Sequence, residues 1–108
     1  MLKKALKATV KNLYQIIRDE YTLNEKINLN HLTKTFLVFL EEGKSNDMIL
    51  RQRAKEFVST VNQKIVAAGV TLPEDARKLI DTIERLSTAG SASLFHFLVF
   101  RFLKLSLG

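Results

Sequence analysis

Leu50, Ala54, Phe57, Val61, Ile65 and Ala68 recur at spacings of four, three, four, four and three. A helix turns once in about 3.6 residues and brings all six to one side, whereas a strand would divide them between two faces. The run follows Ser45 and Asn46, either of which can cap a helix. It stops at Gly69, which suits the left-handed residue just past a helix end, and Val70 stands where the apolar contact of such a stop falls. The rest of the chain keeps this period. Leu6, Val10, Leu13, Ile17 and Tyr21 share one face of a helix expected from Lys3 to Tyr21, widened by Ala5, Tyr14 and Ile16. Asn24 to Asn30 reads as a polar connector. A second helix starts at Asn28 or Asn30, carries Leu29, Leu32, Phe36, Phe39 and Leu40, and ends at Gly43 after Glu41 and Glu42. The fourth opens at Thr71-Leu72-Pro73-Glu74, where Thr71 and Glu74 can form a capping box. Pro73 in the first turn has no intrahelical donor to lose. Asp75 adds a second acid at the positive end of the dipole. Ala76, Leu79, Ile80, Ile83 and Leu86 face inward, and Ala89-Gly90 ends the helix.

Four amphipathic helices with short connectors favour antiparallel neighbours. The expected fold is therefore all-α, an antiparallel up-down four-helix bundle over residues 1–90. With 108 residues and 12.3 kDa the chain has room for one such domain. Residues 91–108 break the pattern. They form an apolar-basic segment that holds four of the seven Phe: Phe95, Phe97, Phe100 and Phe102. Ser91 or Ser93 can cap a short fifth helix there, and an extended tail is equally compatible with the loose alternation after Val99. The segment either packs on the bundle or extends from it as an apolar interaction surface.

The net charge of +6 is unevenly placed. The first 18 residues carry five bases (Lys3, Lys4, Lys7, Lys11 and Arg18) and no acid, and the last 24 carry Arg85, Arg101 and Lys104 and no acid. Between them the chain is slightly acidic. Lys3, Lys7 and Lys11 form an i, i+4 row, so Lys3, Lys4, Lys7 and Lys11 make a basic face, either simply solvated or turned toward phosphates or anionic lipid. The basic N-terminus lacks the apolar core and cleavage site of a signal peptide. The longest apolar stretch, Leu94 to Leu107, is 14 residues long and contains charges, against about 20 apolar residues for a membrane span. The expected location is cytoplasmic, in part at the inner face of the membrane.

Little in the chain points to catalysis. Without Cys there is no disulfide, thiolate nucleophile or Cys-ligated metal. His31 and His96 are far apart in sequence, and no His-x-x-x-His or Glu-x-x-His pair offers metal ligands. Ser91 and Ser93 near His96 lack an acid to orient the base. The glycines are isolated helix stops rather than a phosphate loop. The expectation is a protein without enzymatic activity, cofactor or metal, which acts by binding.

Asn12-Leu13-Tyr14, the stretch Lys64-Ile65-Val66-Ala67-Ala68-Gly69-Val70-Thr71-Leu72, Leu79-Ile80 and Ile83-Glu84-Arg85-Leu86-Ser87-Thr88-Ala89-Gly90 resemble the immunity proteins of pediocin-like (class II) bacteriocins, the enterocin A immunity family. The resemblance covers nearly the whole chain in helix order and rests mostly on packing residues. It implies a cytoplasmic antiparallel four-helix bundle with a variable C-terminal element that carries toxin specificity. It further implies protection of the cell by binding the membrane components of the mannose phosphotransferase permease with bound bacteriocin, from the cytoplasmic side, so that the pore is blocked. The Phe- and Leu-rich end departs from the short, polar end usual in that family.

The expected partner-binding residues are Phe95, His96, Phe97, Phe100, Arg101, Phe102 and Lys104. The aromatic rings would be anchors, and the cations would face receptor loops or anionic lipid. The alternative class is a small basic helical protein that binds nucleic acid or accompanies a membrane. Against nucleic acid stands the absence of a helix-turn-helix or stacking platform.

Overall fold

The computed structural model describes residues 2–43 and 45–88. The expected helix end at Ala89-Gly90 and the whole of segment 91–108 lie outside the described residues. Within them every regular element is α-helical: α1 (Leu2–Ile17), α2 (Tyr21–Ile27), α3 (Leu29–Glu41), α4 (Asp47–Ala68) and α5 (Glu74–Thr88). The all-α expectation holds, with five helices where the apolar period suggested four over this stretch.

The extra helix comes from a break in the first. Rather than running to Tyr21, α1 stops at Ile17, and Tyr21 is 83% exposed instead of joining the core. Asn24 accounts for the break. Its side-chain amide donates to the carbonyls of Ile17 (2.9 Å) and Arg18 (3.2 Å). A continuing helix would use those carbonyls for the amides of Tyr21 and Thr22. The Glu20 amide instead closes a tighter turn onto Ile17 (3.0 Å). Most of the expected connector is therefore α2, which buries Leu23 and Ile27, a pair four residues apart and hence on one face.

α3 begins immediately after Asn28, which adopts a left-handed conformation (φ 54°). Asn tolerates this region better than most residues with a Cβ. Neither expected capping side chain acts as a cap across the first turn. Asn28 makes no side-chain capping bond, and the Asn30 side chain accepts only from the next amide, His31. The acceptor comes from α2: the Asn24 carbonyl oxygen takes the Asn30 amide at 3.0 Å. One side chain thus ends α1 and caps α3.

The other helix ends follow the sequence more closely. Asn46, not Ser45, caps α4, with its side-chain oxygen accepting from the Ile49 amide at 2.9 Å. Gly43 and Gly69 are both left-handed, with φ of 82° and 66°. At Gly69 the amide reaches back to Val66 and Ile65, and the Val70 amide to Ile65, the double bond pattern of a Schellman stop. Val70 packs against the core as expected. A Cβ at Gly69 would meet no atom within 4 Å, so the cost of adding one is conformational alone. Gly69→Ala is expected to destabilise by about 1 kcal/mol, lowering the thermal midpoint by about 5 °C. An unchanged midpoint by circular dichroism would show that the turn relaxes freely.

The expected capping box does not form. Pro73 occupies the capping position, its carbonyl accepting from Arg77 at 3.0 Å. Glu74, rather than reaching back to Thr71, lies 3.7 Å from Lys78 in an exposed i, i+4 pair. With the helix starting at Glu74, the box residues stand too early to serve it. Glu74 and Asp75 still place two acids in the first turn, where the dipole favours them.

The core draws on every helix: Leu6, Val10, Leu13 and Ile17 from α1, Leu29, Phe36 and Leu40 from α3, Leu50, Ala54, Phe57 and Val61 from α4, and Ala76, Ile80 and Ile83 from α5, with Leu23 and Ile27 beneath α2. Two buried polar residues interrupt the stripes. Thr33 donates to the Leu29 carbonyl (2.8 Å) and Ser87 to that of Glu84, so neither hydroxyl is left unsatisfied in the interior. α1 packs most extensively on α5 and α3, and α4 packs on α5. α3 and α4 touch less, with α2 against both.

Candidate functional site

The modest contact between α3 and α4 leaves a groove of about 720 Å³ between them. Its floor is aromatic. Phe36 and Phe57 stack with ring centroids 5.1 Å apart and planes 30° from parallel. Such offset stacking adds about 0.5–1.5 kcal/mol to the effect of burial alone. Both rings are nearly buried, at 6% and 7% exposure. Phe39 is partly covered, and the Arg53 guanidinium lies 4.7 Å above its ring, within cation–π range. Leu32 and the 45%-exposed Val38 complete the apolar lining on α3. Polar groups stand along the edges: His31 and Lys34 on α3, Glu42 just past its end, and Arg53, Glu56 and Thr60 on α4.

An apolar, open, aromatic-floored channel edged by both signs of charge is suited to holding an apolar side-chain row. No group of His, Cys, Asp and Glu able to hold a metal ion occurs among the described residues.

A second surface lies on α1. Lys4, Lys7 and Lys11 are exposed and Lys3 is half-buried, on a helix with no acidic residue. Lys3 is set apart from the others. Its ammonium nitrogen lies where a Cβ on Gly43 would come within 3.0 Å of it, so it sits at the C-terminal end of α3. Cations are favoured there by the helix dipole. The expected basic face thus divides into three exposed lysines and one that serves the fold.

The structure places Lys4, Lys7 and Lys11 on the exposed surface of α1, with Lys3 apart beside Gly43. Phe95, His96, Phe97, Phe100, Arg101, Phe102 and Lys104 lie outside the described residues. The α3–α4 groove is a site that the sequence reading missed, because Leu32, Phe36, Phe39 and Phe57 share a helical stripe with the core. The available signal was that the α3 stripe is wide: Val38 extends it beyond what one neighbouring helix can cover. Among the described residues no helix is long and apolar enough to cross a membrane. Comparison with protein-family models, curated proteins and solved structures finds no match to the chain.

Proposed function

We propose that the chain is a bacteriocin immunity protein of the pediocin-like, enterocin A type. It would act without catalysis, cofactor or metal, in the cytoplasm at the inner face of the membrane. Its partner would be the membrane components of the mannose phosphotransferase permease occupied by toxin, and its binding would block the pore. The fold proposed with this reading is an antiparallel up-down bundle of α1, α3, α4 and α5, to which α2 is a short addition.

The observation that carries the reading is the contact order. α1 meets α3, α3 meets α4, α4 meets α5 and α5 returns to α1, as an up-down bundle requires. The last turn of α4 with most of its connector to α5, Lys64 to Leu72, is among the segments that resemble the family. The exposed lysines of α1 suit an approach to anionic lipid, each contributing about 1 kcal/mol near such a surface.

The test is expression in a bacteriocin-sensitive strain challenged with a panel of pediocin-like peptides. Survival at raised concentrations of at least one peptide is expected. Unchanged sensitivity to all of them would overturn the reading. The membrane approach has its own check. Replacing Lys4, Lys7 and Lys11 together by Glu is expected to abolish sedimentation with anionic vesicles while leaving the thermal midpoint within a few degrees. Equal sedimentation of both forms would remove the lysines from the site.

A further inference from the structure

We propose that the α3–α4 face is where two copies of the chain associate, in antiparallel contact about a two-fold axis through Val38 of α3. Such pairing is independent of any toxin or receptor.

The spacing of charge on α3 carries this. Lys34, Val38 and Glu42 follow one another at intervals of four, the i±4n ridge along which helices most often pack. Glu42 keeps helical backbone angles just past the end of α3 (φ −66°, ψ −24°), so the ridge runs unbroken over about 12 Å. All three side chains are exposed, and all three border the groove. Val38 stands midway between a base and an acid. A two-fold axis through it, perpendicular to the helix, sets Lys34 of each copy against Glu42 of the other, because residue i meets j and j meets i. Parallel pairing would set like against like. Neither Lys34 nor Glu42 has an ion-pair partner among the described residues, so both charges are free to serve such a contact.

The rest of the face suits a second copy. Lys34 and Arg53 balance Glu42 and Glu56, so with His31 neutral the groove carries no net charge in a chain of net charge +6. A partner of one sign gains nothing there, whereas a second copy can meet each charge with its opposite. The exposed lysines of α1 line no part of the groove, so much of the repulsive charge lies off the contact. Apolar surface accompanies the ridge. Val38 is 45% exposed, and Leu32 and Phe39 are only partly buried at the groove. Antiparallel contact covers all three. The groove is about 17 Å long from His31 to Glu42, and two helices are ~20 Å wide. The contact is therefore smaller than the roughly 800 Å² per partner of stable complexes. It fits a weak, reversible dimer with a dissociation constant of about 10–100 µM.

Sedimentation equilibrium of the full chain, at about 5 to 500 µM and so on either side of that constant, measures the mass. The average is expected to rise from 12.3 kDa toward twice that value. A mass of 12.3 kDa at every concentration overturns the proposal. Charge reversal then locates the contact. Lys34→Glu sets acid against acid across the axis, and Glu42→Lys sets base against base. Each is expected to weaken association about tenfold or more. The double variant Lys34→Glu/Glu42→Lys, and an equimolar mixture of the two single variants, are expected to recover it to within about threefold of the unaltered chain. Only a contact that pairs position 34 of one copy with position 42 of the other gives this rescue. Association that neither single variant weakens, or that the double variant leaves lost, overturns the two-fold arrangement. The absence of cysteine allows a direct second measurement. Under mild oxidation Val38→Cys is expected to form a disulfide-linked dimer about tenfold faster than Ala8→Cys on the exposed side of α1, and equal rates overturn the placement of the axis. Circular dichroism on each variant confirms an intact helical fold.

Discussion

Phe57→Ala is expected to lower the free energy of unfolding by about 3 kcal/mol, the lower part of the range for Phe→Ala in cores. The lower part applies because one side of the ring faces the groove and leaves no closed cavity. A domain of this size has a total of about 5–15 kcal/mol, so this single ring carries a large share. Its loss also strips the stacked partner from Phe36, 5.1 Å away. At this location the effect concerns more than burial, because α3 and α4 make less contact with each other than the other pairs of long neighbouring helices do. Urea unfolding followed by circular dichroism measures the change. Phe39→Leu, which keeps most of the apolar volume and removes only the ring beneath Arg53, is expected to cost about 0.5–1 kcal/mol. If the two variants proved equally mild, the seam between α3 and α4 would not depend on the stacked pair.

Asn24→Ala is expected to cost about 2 kcal/mol. It removes two donors from the carbonyls that end α1 and the acceptor that caps α3. Each such bond contributes about 0.5–1.5 kcal/mol net, and part of the loss is recovered from water. The sign is diagnostic. Position 24 lies inside α2, where intrinsic propensity alone would have Ala stabilise the helix relative to Asn by up to about 0.7 kcal/mol. A stabilised variant would therefore mean that the three hydrogen bonds contribute nothing. Asn24→Asp sharpens the comparison. It keeps an acceptor for the Asn30 amide but turns a carboxylate toward the carbonyls of Ile17 and Arg18. It is expected to be at least as costly as Ala.

These two residues also show where reading from the sequence succeeds. The stripe containing Phe57 obeys a period, and period follows from geometry. Leu6, Val10, Leu13, Leu50, Ala54, Val61, Ile80 and Ile83 are all buried as their spacing requires. The stops at Gly43 and Gly69 are legible too, because a left-handed residue favours one residue type. Asn24 is different. Its bonds reach seven residues back and six forward, and nothing in local propensity separates an Asn that joins two helices from an Asn in a loop. Extending α1 to Tyr21 was the natural result of a four-residue spacing, and the competing hydrogen bonds are visible only in three dimensions. Thr33 and Ser87 were missed for a related reason. A hydroxyl that returns to its own helix backbone is buried without a partner elsewhere, so it leaves no mark on the pattern. The groove was hidden because a stripe wider than its covering partner reads the same as a stripe wholly in the core.

The pairing of α1 with α5 has a consequence for the moment at which the chain is made. α1 leaves the ribosome before the other described helices, yet one of its two main packing partners is the last of them, some 70 residues later. At about 5–20 residues per second, α5 follows α1 by roughly 4–14 s. Throughout that interval the stripe Leu6, Val10, Leu13 and Ile17 lacks the cover of α5 and can be covered only by α3 and, less extensively, α4. Such a stripe in a nascent chain is a hazard for association with its neighbours on the same message. α1 carries Lys3, Lys4, Lys7 and Lys11 with no acid to neutralise them, so identical nascent segments repel one another while they wait. By charge alone the lysines would oppose association of nascent segments during synthesis, before there is any folded surface for them to serve.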